Sequence, residues 1–190
     1  MDWDPQEFAW LPEPSQRLLR FACTRMVHSY KPVLTGILLE RLPSLRVPLA
    51  EVQDQFVAFY QAREQQGLPI ERRQTAILRN GAVEASAARI VAGKILWGVF
   101  RVQGFAHLCG GELILQPASA WYGLASEPAR TKAMAALRRA LSDFYERIEL
   151  EGEAVYGRTK RNGAADAHEM VFLVPDPDDS DDMFILPEDY

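Results

Sequence analysis

Apolar side chains recur at helical spacing through the first third of the chain, and prolines or glycines separate the runs. In SQRLLRFACTRMVH, Leu18, Leu19, Phe21, Ala22 and Met26 share a face behind Ser15, a predicted N-cap, so an amphipathic helix is expected. A more apolar helix opens at Ser29-Tyr30-Lys31-Pro32, with proline in its first turn; it buries Val33, Leu34, Ile37, Leu38 and Leu42 and ends at Pro43. A third begins at Val47-Pro48-Leu49, repeats Val52, Phe56, Phe59 and Tyr60 at threes and fours, and stops at Gly67.

After Leu68-Pro69-Ile70 the polar, basic stretch ERRQTAILRNG reads as a connection, and the alanine-rich AVEASAARIVAGK reads as helix. Beyond Gly93 the pattern changes: Trp97, Val99, Phe100 and Val102 form a β-favouring run. FAHLC and ELILQ flank Gly110-Gly111, which is the signal of a two-residue hairpin, here a wing. Ser126-Glu127-Pro128 opens a long helix reaching Glu149, with Met134, Leu137, Leu141, Phe144, Tyr145 and Ile148 on one face.

The expected organisation is therefore an irregular aromatic arm (1–15), a winged-helix-like domain with a bracing helix (16–150), a loop with one candidate strand at Met170–Val174 (151–174), and an acidic tail (175–190). The fold class is mainly α with a small β-hairpin, an α+β arrangement. The tail has acids, no base and one apolar plug, Met183-Phe184-Ile185-Leu186, a composition that predicts disorder in isolation.

Charge sharpens this division. Residues 16–147 hold 18 Lys/Arg against 10 Asp/Glu, whereas residues 148–190 hold 3 against 12. The net charge of −5 thus conceals a basic body beside an acidic end, an asymmetry that concerns polyanions and basic partner surfaces. The two cysteines, Cys23 and Cys109, have no CxxC or CxxH spacing, so neither a disulfide framework nor a zinc site is expected, and a reducing cytosolic setting fits. The acidic start MDWDPQEF is unlike a signal peptide, and no apolar run approaches a membrane span.

Catalytic patterns are sparse. Glu112 in ELILQ lacks the following lysine of a nuclease Glu-x-Lys strand, and His168-Glu169 lacks the second histidine of a zincin. His28, His107 and His168 are scattered, and Gly110-Gly111 without GK[ST] is a turn rather than a phosphate loop. No cofactor and no catalysis by the chain alone are expected.

Ser29-Tyr30-Lys31-Pro32-Val33-Leu34, then Phe56-Val57-Ala58-Phe59-Tyr60 and Arg63 before Gly67-Leu68-Pro69, resemble winged-helix-like modules found beside helicases and nucleases in bacterial defence and restriction loci. The same span, 16–124, is similar to the small middle components of three-component ABC-ATPase defence systems of the Lamassu kind. The resemblance implies a non-catalytic subunit working beside an SMC-like ATPase and a nuclease.

Candidate contacts follow from surface chemistry. The third helix offers Glu51, Gln53, Asp54, Gln55, Gln61, Glu64 and Gln65 with only Arg63 basic, which disfavours its reading bases between phosphates. Arg63, Arg72, Arg73, Arg79, Arg138, Arg139, Lys160 and Arg161 are the expected contacts to phosphate or acidic partners, with Arg89, Arg130, Lys132 and Arg158 nearby in sequence. Trp3, Phe8, Trp10, Met183, Phe184, Ile185 and Leu186 are the expected partner anchors. Protein partners, weak sequence-independent DNA contact and no membrane association make up the partner expectation. The rival readings are a dimeric transcription regulator joined along the long helix and a degenerate restriction-type nuclease.

Overall fold

The computed structural model describes residues 6–24 and 26–156. Expectations for Trp3, the loop after 156, the strand at 170–174 and the acidic tail lie outside the described residues. The described body is mainly helical with small antiparallel sheets. Its helices are α1 (Glu13–Cys23), α2 (Tyr30–Glu40), α3 (Leu49–Gln65), α4 (Ala85–Ile95), α5 (Ala118–Tyr122) and α6 (Glu127–Leu150). The strands are β1 (Arg46–Pro48), β2 (Pro69–Arg72), β3 (Leu78–Arg79), β4 (Ala82–Val83), β5 (Ala106–Cys109), β6 (Glu112–Leu115) and β7 (Ala154–Tyr156).

The expected helices form, with shifted edges. α1 starts at Glu13 with Pro14 in its first turn, so Ser15 is not the cap: its hydroxyl is buried and donates to the Ala120 carbonyl at 2.8 Å. α2 is apolar nearly all round because it is the central helix, and Leu34, Leu38 and Leu39 are fully enclosed. α6 packs against it and buries a stripe of small residues, Ala129, Ala133, Ala136 and Ala140. A β-carbon at Gly36 of α2 would stand 3.7 Å from Met134 Cε and 3.9 Å from Leu137 Cδ1 of α6.

Two expectations fail here. The run from Trp97 to Val102 is not a strand: α4 continues through a π-helical turn at Leu96–Phe100, because Leu96 and Phe100 are buried one turn apart while β pairing would leave both faces of the run half-covered. The connection from Gly67 to Glu84 is not structureless, since it contributes β2 and the small β3–β4 ladder.

Gly110 and Gly111 both have positive φ, as a tight two-residue hairpin between β5 and β6 requires. β6 also pairs with β1 ahead of α3, in the register Val47 to Leu113, giving a three-stranded sheet of order β1-β6-β5. The helix that leads into the hairpin is thus α4, not α3. Trp121 of the short α5 is fully buried, and its indole donates to the Phe105 carbonyl, just ahead of β5, at 2.9 Å. β2 pairs with β7, so the middle of the chain and the end of the described body share one ladder.

Candidate interaction surfaces

Several expected cations have internal duties. The Arg63 guanidinium lies 3.5 Å from the Tyr145 ring centroid and its Nε donates to the Pro69 carbonyl at 2.6 Å. Arg72 is forked between Glu151 and Glu153, at 2.8 and 3.1 Å. Both brace the surroundings of the β2–β7 ladder from partly exposed positions. Arg139 pairs with Glu7, and Arg89 binds Asp54 through two nitrogens at 2.8 and 3.0 Å. Arg73 in the bend after β2, Arg79 of β3 and Arg138 of α6 remain exposed. Lys160 and Arg161 lie outside the described residues.

Among the anchors, Phe8 is corrected to a core residue, 1% exposed, because the turn before α1 folds its ring inward. Trp10 is half-exposed, with the Lys132 ammonium 4.7 Å from its ring centroid. Trp3 and Met183–Leu186 lie outside the described residues. The outward residues of α3 are engaged locally, Glu51 with Arg41 at 3.2 Å and Asp54 with Arg89.

Sequence reasoning missed a surface on the α4 helix and its π-helical extension. Glu84 caps it, its carboxylate accepting from the amides of Ser86 and Ala87 at 3.1 and 2.7 Å, and the Ser86 hydroxyl with those amides holds the Glu84 carboxyl below its ordinary pKa. From there outward Ile90, Lys94, Trp97, Arg101 and Val102 face solvent. The signal was present as a stretch without acids, Ala85 to Gly111, but reading its second half as strand scattered these side chains over two faces.

A polar cluster lies in the interior of the described body. The Glu71 carboxylate is fully buried and accepts from the Ser29 amide at 3.0 Å, the Ser29 hydroxyl at 2.6 Å and the Arg72 amide at 3.0 Å. Tyr60 and Tyr145 place their hydroxyls on Ser29 Oγ at 2.7 and 3.2 Å, and His28 Nδ1 lies 3.6 Å from Glu71. Desolvation pushes the Tyr30, Tyr60 and Tyr145 phenols well above their ordinary pKa. Ser29, Tyr60 and Glu71 are all sealed from solvent, and the cluster joins α2, α3, β2 and α6, with His28 at its partly exposed edge.

Two shallow hollows open elsewhere, one beside β1 and β6 and one between the end of α1 and α6. The second is lined by Cys23, whose thiol burial pushes up to about 12, so it is not an activated nucleophile. Among the described residues no group of His, Cys, Asp and Glu could hold a metal ion, and no helix is long and apolar enough to cross a membrane.

Comparisons with protein-family models, with curated proteins and with solved structures give no match.

Proposed function

We propose that this chain is a non-catalytic accessory subunit of a bacterial DNA-sensing or DNA-processing assembly, of the kind that bridges an SMC-like ATPase and a nuclease in anti-phage defence. The observation that carries the proposal is the element order α2-β1-α3-α4-β5-β6 with sheet order β1-β6-β5, the connectivity expected of a winged-helix-like core with an insertion before its last helix. The sequence resemblance to middle components of such systems points the same way. The dimeric-regulator reading loses support, because α6 turns its apolar face into its own core and offers solvent Lys132, Arg138, Arg139, Glu146 and Arg147 instead of a seam.

Expression of the native locus with a tag on this chain tests the proposal. The expected result is co-elution with an ATPase or nuclease at fixed stoichiometry, and no hydrolysis of nucleotide or DNA by the purified chain. Binding to duplex DNA is expected to be independent of sequence and to fall with salt at a logarithmic slope of about −0.9 per phosphate contacted. Turnover that scales with this chain through further purification overturns the non-catalytic reading, and tight binding of one duplex sequence at physiological salt overturns the accessory one.

A further inference from the structure

Ile90, Lys94, Trp97 and Arg101 follow one another at intervals of four, three and four, which is the spacing of a single helical face. Ile90 is 57% exposed and Trp97 39%, with Val102 beside them at 81%. The Arg101 guanidinium lies 4.3 Å from the Trp97 ring centroid, so the indole is already paired with a cation. From Ala85 to Gly111 there is no Asp or Glu, while Arg89, Lys94 and Arg101 are basic.

Three large apolar side chains exposed together on one helix mark an interaction surface, and tryptophan with arginine is the pairing that most often dominates interface energetics. Duplex DNA suits this surface poorly. Arg89 is already held by Asp54, which leaves Lys94 and Arg101 to reach phosphate, and Ile90 and Val102 gain nothing from facing a phosphate backbone. A protein segment with large apolar side chains set among carboxylates satisfies both halves of the surface at once.

We propose that the exposed face of α4 and its π-helical extension is the docking site for such an acidic, apolar-tipped protein segment. Its apolar residues would cover Ile90, Trp97 and Val102, and its carboxylates would meet Lys94 and Arg101. This rests on the accessory-subunit reading and names the surface through which a protein partner is held. The chain's own sequence supplies an instance of the required chemistry: residues 176–190 contain seven Asp/Glu, no Lys/Arg, and the run Met183-Phe184-Ile185-Leu186.

The probe is a fluorescein-labelled peptide with the sequence of residues 175–190. It is titrated with the full chain carrying Phe184→Ala and Ile185→Ala, so that the chain's own copy of the sequence does not compete. Fluorescence anisotropy is expected to show saturable binding that weakens with salt. Roughly tenfold weaker binding is expected on adding Trp97→Ala, Val102→Asp, or Lys94→Glu with Arg101→Glu, each variant keeping the parent circular dichroism spectrum. Val102 is exposed enough that its substitution tests the surface without touching the fold. A peptide with the four apolar residues replaced by serine keeps its charge and is expected not to bind.

Absence of saturable binding overturns the proposal. So does binding that the serine peptide retains, or that Trp97→Ala and Val102→Asp both leave intact. A short random-sequence duplex that binds through these residues while the peptide does not makes the face a DNA surface, which also overturns it. None of these outcomes alters co-elution of the chain with an ATPase or nuclease, so failure here is distinguishable from failure of the accessory reading.

Discussion

Glu71 gathers more of the internal polar geometry than any other side chain described. It has three donors, no solvent, and a position at the N-terminal end of α2 where the helix dipole favours an anion. Glu71→Ala is expected to cost about 3 kcal/mol, because the Ser29 amide and hydroxyl lose a charged acceptor where no water replaces it; urea denaturation measures the loss. The tyrosines around it give a second expectation. The folded state holds Tyr30, Tyr60 and Tyr145 protonated well past their ordinary value of 10, whereas the unfolded chain releases those protons near it. Their contribution to stability is therefore fully present below pH 10 and is lost as pH rises above it. Phenolate absorbance should show these three silent until an alkaline unfolding transition.

Elements meet at close quarters where α1 crosses α5. A β-carbon at Gly123 would stand 2.2 Å from Ser15 Oγ and 3.1 Å from the Pro12 ring. Gly123→Ala is expected to lower stability by about 1–3 kcal/mol, since relieving the contact moves the Ser15 hydroxyl off the Ala120 carbonyl; adding Ser15→Ala should recover part of the loss in thermal unfolding. The amphipathic helices α1, α3 and α6, the apolar α2 and the Gly-Gly hairpin were legible in the sequence because their periodicity, apolar run or turn chemistry is local. The short pieces β1, β2, β7 and α5 were not, because each exists only through a partner distant in sequence or through Trp121 finding Phe105, whereas β3 and β4 close on the local Asn80-Gly81 turn, both residues with positive φ, a signal the sequence carried inside its polar, basic connection. Trp97 to Val102 misled for a related reason. β-branched and aromatic residues favour a strand on average, yet burial of Leu96 and Phe100 one turn apart decides for helix and places Ile90, Lys94, Trp97 and Arg101 in one line. Arg63 and Arg72 were legible as basic but not as engaged, since their ring and carboxylate partners come from α6 and the turn before β7.

At the scale of the whole body, α6 acts as a spine, with Ala129, Ala133, Ala136 and Ala140 buried in the interior and with Tyr145 reaching the Glu71 cluster. β7 closes the structure from the other side, since Val155 is the register partner of Glu71 and Ala154 that of Arg72. A chain ended after Tyr156 is expected to unfold in one cooperative transition. One ended after Leu150 removes Glu151 and Glu153 from Arg72 together with β7, and should melt several degrees lower or expose its core to a hydrophobic dye. During synthesis the order of events is fixed by the same ladder. β2 leaves the ribosome early, and its backbone edge waits unpaired until the residues of β7 emerge. Until Tyr156 is out, the nascent protein carries a half-built seam that a chaperone can recognise, and the strand that completes it is the final part of the body to be made.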